Sequence, residues 1–318
     1  GGLMMAGSGA VVSMGVVVAG GALFVSSGAT TSDVDVSSDG AMVVTPGAGA
    51  NGVTVESGGW LVEGDPSALG GVTSQTGAHL VTSGVFVNDG GSFSSVTTLS
   101  GATLSHAYSL FAVLSGGLLE NASMPDFTLA AIFSGGIDTG TVLLAGSEEE
   151  IWSGGVASGV TISSPASGNT AEQKVRDGGK AYGTVVSGGA QTIKGGWASA
   201  TIVYSGGLQY VTDGSLADSS GLLSSGTALD TVLSGGAQYV ELGGYASGTR
   251  ILQGGSMVLG QESASGGNSA TPLTSAVASG TVVSGGTFTV SAAGSAYATT
   301  LLTSGAMMVA NGGYASGT

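Results

Sequence analysis

The stretch Gly236-Ala237-Gln238-Tyr239-Val240-Glu241-Leu242-Gly243-Gly244-Tyr245-Ala246-Ser247-Gly248-Thr249 decides the fold. Its last seven residues recur verbatim as 312–318, and looser copies stand at Gly178-Gly179-Lys180-Ala181-Tyr182-Gly183-Thr184 and Gly195-Gly196-Trp197-Ala198-Ser199-Ala200-Thr201. Working outward, a step of a small residue plus Gly opens at Ala19, Ser38, Ser57 and Thr76, and again at Ser115, Ser134 and Ser153, each 19 residues after the last within its run. Later copies open at Ser187, Ser205, Ser234, Gln253 and Ser284, with steps of 18, 29, 19 and 31. Self-similarity at such a period marks a solenoid.

Side-chain type follows the period. Two residues before the steps lie Val17, Val36, Val55, Val113, Ile132, Ile151, Val185, Val203, Val232, Ile251 and Val282. A second column holds Val25, Val44, Val81, Ile193, Val211, Val240, Leu259, Val290 and Val309. Two positions earlier come Leu23, Met42, His79, Gln191, Gln209, Gln238, Met257, Phe288 and Met307. Residues two apart share a strand face, so all three columns are expected to point inward. A unit of 19 residues is too short for a βαβ crossover and suits one coil of a right-handed parallel β-helix, all-β, with Gly at the corners for positive φ. Gln173, Gln191, Gln209 and Gln238 are expected to form a buried amide ladder. The Ala column of the Gly-Gly-x-Ala element should be a narrow inward corner, with its Lys/Trp/Tyr position facing solvent.

Composition agrees. Gly supplies 62 of 318 residues with only 5 Pro, which leaves a collagen helix without its basis. There is no Cys, hence neither a disulfide framework nor a thiolate site. Net charge is −15, with 5 Lys+Arg against 20 Asp+Glu, which excludes nucleic-acid binding through Lys/Arg contacts to phosphate. A mean hydropathy of +0.42 is too apolar for simple disorder. The uncharged opening from Gly1 to Ser32 is broken by Gly7, Gly9, Gly15, Gly20 and Gly21 and lacks basic flanks, so it reads neither as a membrane span nor as a signal peptide. Opening on Gly and ending inside a motif, the sequence reads as a mature or excised piece. A single β-helix over 1–318 is expected, with loop insertions near 64–71, 214–226 and 261–272.

The segments from Thr184 to Gln191 and from Gly236 to Thr249 resemble the imperfect 19-residue repeats of AIDA-type self-associating autotransporter adhesins, clearly from about residue 171 onward and more loosely over 19–165. The resemblance implies a surface-exposed or secreted bacterial passenger that binds copies of itself on neighbouring cells or host glycans and proteins. It also implies Ser/Thr modification by a glycosyltransferase. The family's C-terminal outer-membrane barrel has no counterpart in this sequence.

No catalytic, metal or cofactor set emerges. The paired acids with a basic partner that β-helical lyases and hydrolases use are missing from the pattern, and no zinc, phosphate-loop or nucleophile-elbow motif is present. Glu148-Glu149-Glu150 reads as a solvated turn and strand face, with Ca²⁺ binding as the lesser alternative, His79 as a buried inward histidine, and His106 as lacking an acid nearby in sequence. All five basic residues, Lys174, Arg176, Lys180, Lys194 and Arg250, fall between 174 and 250, which reads as solvated scatter, with one less negative stripe that could dock an acidic face of a second copy as the alternative. Recognition must use outward positions, and aromatics with polar tips suit it. The expected interaction residues are Lys194, Trp197, Tyr210, Tyr239, Tyr245, Arg250 and Tyr314. The alternatives are a β-helical carbohydrate-active enzyme or glycan binder, which needs an aromatic groove with acids, and an inert structural stalk.

Overall fold

The structure, a computed structural model, describes residues 2–65, 69–164, 169–214, 224–241, 243–260 and 275–318. The described residues form strands and turns without helix, arranged in six sheets whose strands pair in parallel except at Val85–Asp89, which runs antiparallel to both of its neighbours. The chain divides into two compact units, 1–139 and 140–318.

In 140–318 the expected stacking holds. The first face runs from Glu148–Ile151 to Ala306–Val309, the second from Val156–Ser158 to Tyr314–Ser316, and the third from Val142–Leu143 to Thr300–Leu301. On the second face Ala157, Ala181, Ala198, Ala228, Ala246, Ala278 and Ala296 stack inward and are buried, the narrow corner expected of the Ala column. Glycine serves these corners in two ways. Gly178 adopts φ 71°, a conformation costly for a residue with a Cβ. Gly179 beside it has no such φ, but a Cβ there would lie 2.3 Å from the Ile151 carbonyl oxygen of the preceding coil.

The third face corrects the first column. Val186, Val203, Leu233, Ile251 and Val283 pair in register and are buried, while Val185, Val232 and Val282 stand one position earlier, half-buried on the outward side. Counting back from the Gly step fails because Val186 directly precedes Ser187-Gly188, whereas Tyr204 intervenes between Val203 and Ser205-Gly206. A one-residue slip exchanges the faces of a strand. Val113, Ile132 and Ile151 also leave the column expected for them, since Ile151 pairs with Val175 and Val113 with Ile132 at the end of first-face strands.

On either side of the two lengthened steps the described strands pair in register, Trp197 with Thr227 and Tyr245 with Val277. Asp213 pairs antiparallel with Ser225, Gly214 N–H donates to Ser224 O at 2.7 Å, and the stack resumes at Thr227–Leu229. The loop expected at 261–272 lies outside the described residues, as does most of 214–226. Near 64–71 the expectation is corrected in part, because Leu69–Gly70 pairs in register with Ala50 and Asn51 as a regular solenoid strand.

In 1–139 the first coils stack as expected around Leu23, Val25, Val36, Met42, Val44, Val55 and Leu61, all buried. The parallel pairing then breaks. Val85–Asp89 forms an antiparallel hairpin with Ser92–Val96 and pairs antiparallel with Leu110–Val113, from which parallel stacking resumes to Leu129–Ile132. A solenoid strand with one wet face should alternate in burial, yet Ala22–Val25, Ala41–Val44, Leu110–Val113 and Leu129–Ile132 are buried at every position. Their outward residues, including Phe24 and Val43, are covered by a second layer. Trp60 meets Phe86 and Phe93 of the hairpin at ring distances of 5.7 and 6.4 Å, and a Cβ on Gly64 would strike the Phe133 ring. The columns of this unit are therefore not one uninterrupted stack.

His79 is also corrected. Its strand pairs Trp60 with His79 and Leu61 with Leu80, so His79 stands on the outward side, exposed and stacked on Trp60. The inward position belongs to Leu80, in line with Leu23, Met42 and Leu61. His106 does find an acid, 17 residues away: its Nδ1 lies 3.0 Å from Asp89 Oδ1, which also accepts from the backbone N–H groups of Ser105 and His106 and from the Ser109 hydroxyl.

Candidate interaction faces

Inside 140–318 the Gln column is a continuous hydrogen-bonded ladder. Gln191 Nε2 donates to Gln173 Oε1 at 2.7 Å, Gln209 Nε2 to Gln191 Oε1 at 2.7 Å, and Gln238 Nε2 to Gln209 Oε1 at 2.6 Å. Each Oε1 also accepts from a threonine hydroxyl of the third-face corner: Thr184, Thr201, Thr231 and Thr249 in turn, at 3.0–3.1 Å. All four glutamines are fully buried. The ladder ends on Glu149, whose Oε2 accepts from Gln173 Nε2 at 2.7 Å.

This overturns the solvated reading of the three glutamates. Glu149 is fully buried and Glu150 nearly so. The Glu150 carboxylate accepts from Arg176, which sits over the Trp152 ring, and Glu148 accepts from Lys174 Nζ at 2.5 Å. Burial pushes the Glu148 carboxyl up despite Lys174 beside it. Burial pulls the Lys174 ammonium down, but Glu148 and Glu172 outweigh it and leave the group above its ordinary value. Sequence reading missed this cluster because adjacent coils, not adjacent residues, bring the charges together. The signal was present as a match of type, with Glu148 and Glu150 one coil before Glu172 and Lys174.

The seven expected interaction residues all point outward, but onto three different faces. On the first face Lys174, Thr192, Tyr210, Tyr239 and Val258 form one outward column, in which the Tyr210 and Tyr239 rings stack at 5.3 Å and 16°. Lys194 ends the same face, and burial with Arg176 nearby depresses its ammonium pKa against the pull of Asp213 and Asp177. Burial and the neighbouring Tyr239 raise the Tyr210 hydroxyl. On the second face Lys180, Trp197, Thr227, Tyr245, Val277, Ser295 and Tyr314 share a column, and Tyr314 meets Tyr297 at 5.8 Å. Arg250 stands exposed on the third face, between Val232 and Val282. Tyr210 and Tyr239 are thus brought together, Trp197, Tyr245 and Tyr314 are aligned, and Arg250 is separated from both groups.

The basic residues do not form one stripe, because the three faces divide them. Lys174, Arg176 and Lys194 belong to the first, Lys180 to the second and Arg250 to the third, and the first two are engaged by glutamates.

The crystal structure of the TibC-catalysed hyper-glycosylated TibA 55–350 fragment superposes on this chain with a TM-score of 0.50 over 99% of this chain and 94% of that one, at 23% identity. This chain has the fold of that fragment. A double mutant of the periplasmic alginate epimerase AlgG aligns over 94% of the chain and 76% of its own at 9% identity, but with a TM-score of 0.21 it bears no weight. No protein-family model and no curated protein matches the sequence.

Proposed function

We propose that this chain is the passenger of a bacterial surface adhesin, extracellular and non-enzymatic, which adheres to copies of itself or to host glycans and proteins through the outward columns of 140–318. The observation that carries the proposal is the division of labour between faces. Inward positions are spent on apolar stacking and the Gln–Thr ladder, while aromatics recur at fixed outward positions, with Tyr210 on Tyr239 and Tyr314 beside Tyr297. Repetition multiplies a weak contact, since every further coil in register adds to an association already begun. The fold shared with the TibA fragment and the resemblance to AIDA-type repeats support the same reading.

The TibA fragment is hyper-glycosylated by TibC, and this chain has matching opportunity. Ser158, Ser199, Ser247, Ser279 and Ser316 recur in one outward second-face column. Such serines are accessible to a glycosyltransferase after folding as well as before.

Beads coated with the chain test the proposal. The wild type is expected to aggregate them, and a variant with Tyr210, Tyr239, Tyr245, Lys194 and Arg250 replaced by Ser is expected to aggregate them far less while keeping its β-sheet circular dichroism. Equal aggregation by both would exclude these columns as the contact.

A further inference from the structure

The outward side of 1–139 departs from its own repeat at three places, and the fold gathers them. In the corner column, Gly20, Gly58 and Gly77 take φ of 73°, 79° and 93°, while Asp39 holds the same position at φ 55°. A non-Gly residue there is disfavoured, though Asp is among the most tolerant. In the outward column of the first sheet, Ala22 and Ala41 give way to Trp60 and His79, whose rings stack at 4.1 Å and 14°. The tip of the 85–96 hairpin closes over them. A Cβ on Gly91 would lie 2.8 Å from Gly20 Cα, and Phe93 stands 6.4 Å from Trp60 at 48°. Between these walls is a groove of about 540 Å³ lined by Trp60, His79, Phe93, Asp39 and Ser92, with backbone exposed at Gly58.

We propose that this groove binds a neutral pyranose of a cell-surface glycan. Its volume falls within the range of small-molecule sites, and its open lining sets polar groups, Asp39, Ser92 and glycine backbone, beside the rings of Trp60, His79 and Phe93, as suits a ligand rich in hydroxyls. Aromatic faces cover the apolar C–H face of a sugar ring, and a carboxylate accepts from two neighbouring hydroxyls at once. The Asp39 backbone is fixed and its carboxylate is exposed. Its backbone N–H donates to Gly58 O at 2.9 Å and its carbonyl accepts from Gly20 N–H, while the side chain makes no ion pair with the described residues. Charge selects among sugars. No Lys or Arg occurs in 1–139, so a sialic or uronic acid would meet Asp39 without a compensating cation. Among the residues lining the groove Asp39 is the single acid, which suits binding rather than glycoside hydrolysis. The groove shares no residue with the outward columns of 140–318, so it stands or falls independently of self-association.

Calorimetric titration of the whole chain with methyl β-glucopyranoside, methyl β-galactopyranoside and methyl α-mannopyranoside, up to about 10 mM, tests the proposal. At least one glycoside is expected to bind, and N-acetylneuraminic acid is not. Asp39→Asn keeps a side chain tolerant of φ 55° and is expected to weaken binding at least about tenfold, because a charge-assisted hydrogen bond is lost. His79→Ala, at an exposed position, is expected to weaken it as well. The proposal is overturned if none of the three glycosides binds, or if both variants bind as tightly as the wild type.

Discussion

Replacing Gln209 by Leu should destabilise 140–318 far more than replacing the ladder around it. Gln209 is fully buried, and its Oε1 accepts from Gln238 Nε2 at 2.6 Å and from Thr231 Oγ1 at 3.1 Å. Leucine fits the column, which continues as Met257 and Phe288, so steric strain is small. The cost is the two donors left buried without their acceptor, at about 1–3 kcal/mol each. Gln191 Oε1 is spared, since Thr201 still donates to it at 3.0 Å. Against this, leucine adds apolar burial worth about 1–2 kcal/mol. The net loss is about 0–5 kcal/mol, and the mid-range value of about 2.5 kcal/mol corresponds to a fall in Tm of about 5–10 °C for a unit of this size. Changing Gln191, Gln209 and Gln238 to Leu together with Thr201, Thr231 and Thr249 to Val removes donors and acceptors alike. Gln173 Oε1 keeps Thr184, and the sixfold variant is expected to melt within a few degrees of the wild type. Thermal unfolding followed by circular dichroism measures both. A sixfold variant that loses more than Gln209→Leu would refute the argument that satisfaction, rather than the amide itself, stabilises the core.

Three further outcomes follow from particular positions. Gly244→Ala places a Cβ 2.3 Å from the Val211 carbonyl oxygen and is expected to lower stability by about 1–3 kcal/mol in urea unfolding, the cost of overpacking against backbone. Burial pushes the Asp89 carboxyl up, but hydrogen bonds from His106, Ser105 and Ser109 prevail and hold it below its ordinary 3.8, so its contribution is present above that value and lost as pH falls through the depressed one. Asp89→Asn should therefore be less stable than the wild type at neutral pH and should lose this part of the decline below pH 3.8 in acid titrations. Lys174 behaves in the opposite sense: its raised pKa stabilises fully below its ordinary 10.5 and is lost as pH rises through the folded value, a loss that Lys174→Gln should not show in alkaline melts.

Much of this fold was legible because a parallel solenoid turns long-range contacts into a short period. The ladder of Gln173, Gln191, Gln209 and Gln238 and the Ala corner could be read from spacing alone, since identical side chains one coil apart must stack. Val185 and Val232 were misplaced because a Gly step absorbs one residue more or less without changing its appearance, and a strand of two residues carries too little pattern to reveal the slip. His79 was lost by the same kind of slip in a coil whose step is Thr76-Gly77-Ala78. The second layer on Phe24 and Val43 left a subtler sign. Continuous apolar runs such as Ala22–Val25 and Ala41–Val44 are too apolar for a strand with one wet face, yet nothing in them names the covering hairpin. Glu149 read as solvated because its partner, Gln173, lies 24 residues away, across a lengthened coil.

The claim that outward columns recognise while inward columns only hold the fold is tested most directly by sedimentation velocity over a concentration series. Wild-type chain is expected to shift to larger species as concentration rises, and the five-serine variant to remain at the monomer value throughout, with unchanged circular dichroism. A wild type that stays monomeric at every concentration, or a variant that associates as strongly as the wild type, would contradict it.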